Sequence, residues 1–252
     1  MTRIEKRLSL ETLIESEDVG LEILHPGGLE ITRELAKLCH IGKDTKVLDV
    51  ASGTGESAFY LVQNFGCSVI GIDISDYMIE RAKRKAIEKG LIIEFKKGDA
   101  HNLPFIDNIF DAVISECTTC LLNKEMTIGE MVRVAKTGGY VGIHDVCWNE
   151  GTPMHLKHRL DELEGERPET LLGWKNIFEK AGLKDIITVD KSFLIAEWRK
   201  DIVKKIGFTV KLKIFLKIIK KWGLNGLRIM MESNRVFQSQ YTGYGIIVGR
   251  KP

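Results

Sequence analysis

Residues 47–56 of the chain read VLDVASGTGE, which is a short apolar run, a loop with two glycines and the start of a helical pattern. Glycine is required where the backbone turns tightly and approaches a ligand without an intervening Cβ. The apolar residues are nearly continuous, which is typical of a strand covered by helices on both faces. The stretch therefore predicts the first strand and the ligand-binding loop of an α/β fold.

Similar runs alternate with helical patterns along the chain. Strands are predicted at residues 46–51, 68–73, 92–96, 110–115 and 140–145, with two later strands at 186–189 and 245–248. Helices are predicted at residues 56–65, 75–89, 124–135 and 169–181. Alternation of this kind predicts a doubly wound, mostly parallel sheet, and we therefore expect a Rossmann-like α/β fold.

The composition excludes several classes of protein. The chain has 252 residues, of which 44% are hydrophobic and 29% charged, and its net charge is +2, as in an ordinary globular domain. A charged amino terminus, and no apolar run of the roughly 18 residues that span a bilayer, predict a cytoplasmic protein. Five scattered cysteines predict reduced thiols, and neither Cys117 with Cys120 nor His155 with His158 has the further ligands of a metal site.

Asp49 decides between two kinds of nucleotide ligand. Gly53, Gly55 and Ala58 also satisfy the dinucleotide-binding pattern, and Asp73 lies near the spacing of a ribose-binding acid. A carboxylate inside the strand end has no role in binding a pyrophosphate, whereas it suits a cation. S-adenosylmethionine carries an ammonium and a sulfonium but no phosphate. The pattern favours that cofactor, with a nicotinamide-dependent oxidoreductase as the competing interpretation.

From Leu29 to Val146 the chain resembles the class I S-adenosylmethionine-dependent methyltransferases, especially their small-molecule branch. The resemblance rests on the loop at 47–56 and on GIDIS at 71–75, GDAHNLPF at 98–105, FDAVIS at 110–115 and the glycine pair at 138–139. It implies a seven-stranded sheet whose last strand is antiparallel. This chain departs from the family at Ala51, where glycine is usual.

The resemblance also implies which residues hold the cofactor. Asp49 and the loop Ala51, Gly53, Thr54 and Gly55 match the positions near the methionine part, and Asp73 matches the acid that binds the ribose hydroxyls. Ile74, Met78, Asp99 and Ala100 match positions around the adenine, and Ser115 ends the strand that approaches the methyl group.

Three residues beyond the predicted strand ends are candidates for catalysis. Glu116 is either a general base, a ligand for a polar substrate group, or a carboxylate that touches the cofactor or solvent. His144 is either a base or a hydrogen-bonded structural histidine. Cys117 lies in a segment that resembles the metalloid-binding segment of arsenite methyltransferases, with Cys147 as a second thiolate, or it is simply a core cysteine.

A basic segment separates the last two predicted strands. Residues 199–228 hold ten lysines and arginines opposed only by Asp201, and apolar residues recur there at helical spacing from Val203 to Trp222. We interpret the segment as a helix with solvated lysines, as a membrane-surface contact, or as a lid for an apolar or anionic substrate. No nucleic-acid-binding module is recognisable, and no nucleic acid partner is expected.

These patterns divide the chain into four segments. Residues 1–45 are predicted as a helical cap, 46–190 as the cofactor-binding core, 191–240 as a helical lid insertion and 241–252 as the final core strand. The predicted function is methyl transfer from S-adenosylmethionine to a small molecule, for which a lipophilic acceptor is one candidate. The alternatives are an arsenite-type methyltransferase that uses Cys117 and a non-catalytic cofactor-binding module.

Overall fold

The strands form one mixed sheet in the order β3-β2-β1-β4-β5-β8-β7, and the two-residue strand β6 pairs with β5. The structure is a computed structural model, and it describes residues 26–193 and 208–252. The strands are β1 (Lys46–Val50), β2 (Ser68–Asp73), β3 (Glu94–Lys97), β4 (Phe110–Glu116), β5 (Ala135–Trp148), β6 (Glu169–Thr170), β7 (Lys184–Asp190) and β8 (Thr242–Arg250). The helices are α1 (Gly28–Leu38), α2 (Glu56–Phe65), α3 (Asp76–Glu88), α4 (Lys124–Val134), α5 (Met154–Glu164), α6 (Leu171–Lys180) and α7 (Phe208–Phe237).

The sheet has the topology that the sequence predicts. Strands β1 to β5 are parallel, and β8 lies antiparallel between β5 and β7, so that β7 runs parallel to the others. The chain moves outward from β1 to β3 and then returns to place β4 on the other side of β1. Such a reversal opens a crevice beyond the carboxyl ends of the strands, which is where ligands bind in open α/β sheets.

Apolar side chains cover both faces of the sheet. On one face Leu48 and Val113 belong to a buried cluster with Trp174 and Phe178 of α6. On the other face Val47 lies in a second cluster with residues of α1 to α3, such as Leu35. Burial on both faces explains why the strand sequences are continuously apolar, and the expectation of a doubly wound sheet is confirmed.

Several element boundaries differ from the prediction. Strand β5 extends from Ala135 to Trp148, because its ladder with β8 continues as far as the pair Trp148 and Thr242. Residues 169–170 form β6 and are not part of a helix; α6 begins after them, where the Thr170 hydroxyl accepts a hydrogen bond from the Gly173 amide at 3.0 Å. Strand β3 begins two residues later than predicted, and the side chain of Ile92 is fully exposed.

The basic segment folds as a broken helix. In α7, Gly223 has φ 63° and ψ −156°, values that no helix contains. Ile218, before the break, packs against Leu227 and Ile229, which follow it. A Cβ at Gly226 would lie only 2.9 Å from Ile218 Cγ2. Residues 208–222, the first leg, therefore fold back on residues 224–237, the second leg. The predicted apolar positions Val203 and Ile206, and the amino-terminal 25 residues, lie outside the described part of the chain.

The second leg docks at the carboxyl end of β5. Val236 is buried with Trp148, the last residue of β5, and with Leu160 of α5. Glu232 of the second leg also forms an ion pair with Arg159 of α5. These contacts place the second leg beside the edge of the sheet where the crevice opens. Among residues 26–193 and 208–252, no helix combines the length and apolar character needed to cross a bilayer.

Candidate cofactor and acceptor site

The loop after β1 has a backbone that ordinary side chains disfavour. Gly53 and Gly55 have φ values of 51° and 85°, and Ala51 has φ 60°, all in the left-handed region. A Cβ at Gly55 would lie 2.7 Å from the Phe95 ring, so that position requires glycine. A Cβ at Gly53 would meet no atom of the described chain within 4 Å, which leaves open space above the loop. The backbone is thus exposed to a ligand at the position where the sequence predicts one.

Asp49 is a buried acid with an unused oxygen. Its side chain is 2% exposed, and Oδ2 has no hydrogen-bond partner in the described part of the chain. Burial, followed by repulsion from Glu116 and Asp73, raises the pKa of the Asp49 carboxyl well above its ordinary value. Buried polar atoms are normally satisfied, so this arrangement indicates a place for a bound donor with positive charge.

Asp73, at the end of β2, is held firmly by the neighbouring backbone. The Gly53 amide donates to its Oδ2 and the Ser75 amide to its Oδ1, both at 2.9 Å. Each carboxylate oxygen accepts two hydrogen bonds, so these contacts orient the carboxylate and still allow it to accept from a vicinal diol. Asp73 therefore lies next to the glycine loop, as a ribose-binding acid must.

The Glu116 carboxylate accepts hydrogen bonds from hydroxyl groups on two helices. Ser57 of α2 donates to Glu116 Oε2 at 2.5 Å, and Thr32 of α1 donates to the same carboxylate at 3.0 Å. Thr32 is fully buried. Because Glu116 also acts electrostatically on Asp49, the tips of β1 and β4 form one acidic pocket under α1.

The predicted adenine positions lie at the other end of the crevice. Ile74 is 67% exposed next to Asp73, whereas Met78 is buried in the first turn of α3. Asp99 Oδ1 accepts from the His101 amide at 2.9 Å and lies 2.8 Å from His101 Nδ1, and these contacts hold the pKa of Asp99 below its ordinary value. Ala100 is half-buried in the same loop. An exposed apolar side chain beside a fixed acidic loop is compatible with a flat aromatic ligand.

The third group of predicted residues meets where β4 ends beside His144 of β5. The Cys117 amide donates to the His144 carbonyl at 2.6 Å, and Cys117 Sγ lies 3.8 Å from His144 Nδ1. The ring of Tyr244 from β8 lies 5.8 Å from the ring of fully buried His144. Ser115 is also buried, and its Oγ has no hydrogen-bond partner within the described residues. Polar and aromatic groups thus converge where the acceptor of a transferred group would lie.

Cys117 is half-buried, and its surroundings favour the neutral thiol over the thiolate. Burial, together with repulsion from Asp145, Glu116 and Glu166, raises the pKa of the Cys117 thiol well above its ordinary value. Its backbone has φ 52°, which fixes the side chain in a tight turn. Within residues 26–193 and 208–252 no three histidine, cysteine or acidic side chains form a group able to hold a metal ion. These features argue against the thiolate interpretation of Cys117.

Several residues of the site carry no signal in the sequence. Thr32 and Ser57 lie 84 and 59 residues from Glu116 along the chain, and neither belongs to a recognised motif. Tyr244 reaches His144 only because β8 inserts next to β5. Asp145, by contrast, directly follows the predicted residue His144; it is fully buried and accepts hydrogen bonds from the Cys120 and Val146 amides, both at 2.8 Å, and burial raises its pKa to about 6. Only the strand order and the helix docking bring these residues to the crevice.

The fold is that of a Rossmann-like α/β protein, with acidic side chains at the tips of β1, β2 and β4. A family model described as a methyltransferase domain matches residues 41–191, which is more than half of the chain. The chain belongs to this methyltransferase family, as the motifs predict.

Named relatives act on different acceptors. Phosphoethanolamine N-methyltransferase of Triticum aestivum is 29% identical over 174 residues, which cover 69% of this chain and 34% of that protein. Sterol 24-C-methyltransferase of Aspergillus fumigatus is 37% identical over 133 residues, 50% of this chain and 35% of that protein. The matched region thus spans about a third of the length of either relative.

A solved structure shares the fold over nearly the whole chain. Phosphoethanolamine N-methyltransferase 2 of Haemonchus contortus, in complex with phosphomonomethylethanolamine and S-adenosylhomocysteine, superposes with a TM-score of 0.76. The superposition covers 96% of this chain and 57% of that one, at 19% identity. At that identity the likeness shows the fold, and the chemistry of this chain has to be argued from its own residues.

Proposed function

We propose that this protein is an S-adenosylmethionine-dependent methyltransferase that acts on a small-molecule acceptor. The observation that carries the proposal is the buried carboxylate of Asp49, whose Oδ2 has no protein partner in the described part of the chain, beside the open backbone of the glycine loop. A cationic, phosphate-free nucleoside supplies the positive charge that this pocket lacks. Membership of the methyltransferase family supports the same cofactor.

The residues present fit this cofactor. Asp49 and the loop at 51–55 would hold its methionine part, Asp73 its ribose, and Ile74, Met78, Asp99 and Ala100 its adenine. Ser115 would lie nearest the reacting end. When bound, the cofactor supplies a methyl group that is already activated on a sulfonium.

The contribution of the chain is then chiefly positioning. The Thr32 and Ser57 hydroxyls fix the Glu116 carboxylate, so that its negative charge stays at the strand tip. α1, through the buried Thr32, covers part of this tip. His144 is a candidate to accept a proton from the acceptor, since it lies beside Tyr244 and Cys117 next to the end of β4.

We propose that the acceptor binds beyond β4 and β5, beneath the second leg of α7. Trp148, Val236 and the half-buried Phe237 pack together into an apolar cluster that borders this region, and an apolar border suits an acceptor with a lipophilic part. The names of the two relatives, one for a phosphorylated amine and one for a sterol, support a small molecule without selecting one.

The competing functions are less compatible with the site. An arsenite-type reaction through Cys117 requires a reactive sulfur, whereas burial and nearby acids keep that thiol protonated. A nicotinamide dinucleotide would bring a negatively charged pyrophosphate close to the acids Asp49 and Glu116, and that group offers no positive charge to pair with Asp49. A non-catalytic cofactor-binding module would share the cofactor pocket but not transfer the methyl group.

Titration calorimetry tests the cofactor. We expect S-adenosylmethionine and S-adenosylhomocysteine to bind, and the reduced nicotinamide dinucleotide not to bind. Asp49→Asn should weaken S-adenosylmethionine binding by roughly tenfold to a hundredfold, because it removes a charge-assisted hydrogen bond. Asp185→Asn is the matched control. Asp185 is exposed at the amino-terminal end of β7, whereas the site lies at the carboxyl ends of the parallel strands.

Turnover distinguishes the enzyme from the binding module. Release of S-adenosylhomocysteine is measured with phosphorylated amines, sterols and quinols as acceptors. Binding without release for any acceptor class supports the module, and failure of both sulfur nucleosides to bind removes the proposal. Arsenite-dependent release that Cys117→Ser abolishes would restore the thiol mechanism.

A further inference from the structure

The first leg of α7 carries an apolar stripe on its outer side. Leu212, Phe215, Leu216 and Ile219 follow one another at the i, i+3, i+4, i+7 spacing of one helix face. The first three side chains are 44%, 46% and 55% exposed, which is unusual for large apolar residues on a single helix face. This face therefore has apolar surface that the described part of the chain leaves in contact with solvent.

Most of the stripe points away from the face that packs within the protein. Ile218 is fully buried, and with Trp222 it makes the contact with Leu227 and Ile229 of the second leg. At about 100° per residue, Leu212 and Leu216 point roughly 120° and 160° away from Ile218, whereas Phe215 points only about 60° away. Leu212 and Leu216 therefore form the outward side of the stripe, and Phe215, which is 46% exposed, lies at its border with the packing face.

Positive charge surrounds the stripe. Lys213 and Lys220 are exposed on the same leg. Along the sequence, residues 208–231 contain Lys211, Lys213, Lys217, Lys220, Lys221 and Arg228 and no acidic residue. An exposed apolar face on a helix with an uncompensated basic flank is the combination found in helices that lie in the interface of an anionic bilayer.

We propose that the first leg of α7 docks on an anionic membrane surface, with Leu212, Phe215 and Leu216 inserted among the lipid headgroups. The two flanking lysines bind the lipid phosphates. This inference rests on the stripe and its charge, and it holds whether or not the crevice transfers a methyl group. A second copy of the chain is a poor partner for the face, because two such lysine clusters repel each other.

The anchoring of the hairpin gives the proposal a geometric consequence. The second leg is fixed to α5 by the ion pair between Glu232 and Arg159 and by burial of Val236 against Trp148. The first leg is fixed in turn to the second leg through Ile218. A bilayer bound to the stripe is thereby held on the side of the molecule where β5 ends and the acceptor would enter.

Vesicle flotation with the full chain tests the docking. The vesicles are pure phosphatidylcholine in one set, and equal amounts of phosphatidylcholine and phosphatidylglycerol in the other. We expect binding to the anionic vesicles and little to the neutral ones. The double change Lys213→Glu with Lys220→Glu should lower the partition coefficient by more than roughly tenfold, because each lysine near such a surface contributes about fivefold. The double change Phe215→Ser with Leu216→Ser should also lower it.

Matched control variants distinguish binding through this face from nonspecific adsorption of the protein to vesicles. Ile87→Ser with Ile92→Ser removes two exposed apolar side chains elsewhere, and Lys83→Glu with Lys96→Glu reverses two exposed charges elsewhere. These control variants should bind anionic vesicles as the unmodified chain does. Circular dichroism and calorimetry with S-adenosylmethionine check that each variant is folded. If the unmodified chain binds vesicles but not the cofactor, only the proposed function is refuted, and the docking proposal stands.

Five outcomes overturn the docking proposal, of which four concern vesicles and self-association. The first two are equal binding to both vesicle types and no binding to either. The third is an equal loss of vesicle binding in the test and control variants. The fourth is self-association of the chain, without vesicle binding, that the double change Phe215→Ser with Leu216→Ser abolishes. Binding to single-stranded DNA that depends on the two lysines, but not on Phe215 and Leu216, would assign the face to a nucleic acid and would equally overturn it.

Discussion

The hydroxyl of Thr32, on helix α1, donates to the carboxylate of Glu116 at the end of β4 and lies 3.1 and 3.0 Å from its two oxygens. Ser57 Oγ, on α2, donates to the same carboxylate at 2.5 Å. Two helices and one strand tip are thus joined through a single side chain that also raises the pKa of Asp49. The position of α1 over the crevice and the electrostatics of the pocket are therefore linked.

Thr32→Val should destabilise the protein. The change keeps the shape of a fully buried side chain but removes one donor to a charged group, which costs about 1.5–3 kcal/mol. The free energy of unfolding in urea measures the effect. Thr127→Val is the control, because the buried Thr127 hydroxyl has no hydrogen-bond partner within the described residues and its removal should cost little. Equal losses in both variants would contradict the role given to Thr32.

Cofactor binding should release a proton from Asp49. In the free protein burial raises the pKa of Asp49, and a bound ammonium or sulfonium lowers it again. Affinity should therefore fall as the pH falls below the raised pKa. Calorimetry in buffers of different ionisation enthalpy measures the proton release, and Asp49→Asn should abolish it. Proton release that persists in Asp49→Asn would assign the proton to another group.

Asp145 should make stability depend on pH. Its pKa is about 6 in the folded protein, against about 4 in an unfolded chain. Because the folded pKa is raised, the stabilisation is present below about pH 4 and is lost as the pH rises to about 6. Relative to Asp145→Asn, the protein should lose up to about 3 kcal/mol over this range, measured by urea unfolding. A constant difference between the two proteins would contradict this expectation.

Ala51→Gly should stabilise the protein. Ala51 has φ 60°, where an alanine costs about 1 kcal/mol more than a glycine. Thermal unfolding of Ala51→Gly should show a gain of this order, with cofactor affinity retained. Ala58→Gly, in the interior of helix α2, is the control and should lose about 1 kcal/mol. A loss of stability in both variants would show that the left-handed turn is not strained.

Cys117 should react slowly with alkylating agents in the folded protein. Only the thiolate is nucleophilic, and burial with nearby acids raises the pKa of this thiol. Mass spectrometry of the chain treated with iodoacetamide at pH 8, native and denatured, measures the protection. Rapid native modification of Cys117 would contradict the expectation and favour a role as nucleophile or metalloid ligand.

Most of the sheet was predictable because its information is local. Continuous apolar runs such as 47–50 mark buried parallel strands, and alternation with helices fixes the winding. The acids Asp49 and Asp73 lie at strand ends, which meet at one edge in any parallel sheet. Their proximity therefore follows from topology alone.

The rest of the site depends on contacts between distant parts of the chain. Thr32 and Ser57 are ordinary helical residues until the docking of α1 and α2 brings them to Glu116. The fold-back of α7 was also missed, although Gly223 and Gly226 are its local signals, because the lysine and apolar pattern continues up to the break. The roles of the cofactor positions and the four-segment division remain predictions.

Strand β8 lies between β5 and β7, so the excursion that contains α7 leaves the sheet at Asp190 and returns at Thr242, on directly neighbouring strands. An excursion whose two ends are so close can grow, shrink or be exchanged at little entropic cost to the framework around it. Under the proposed function, the sheet holds the cofactor, and this excursion lies where it can help to select the acceptor. Grafting the excursion of another family member at these two points is accordingly a route to new acceptor preference.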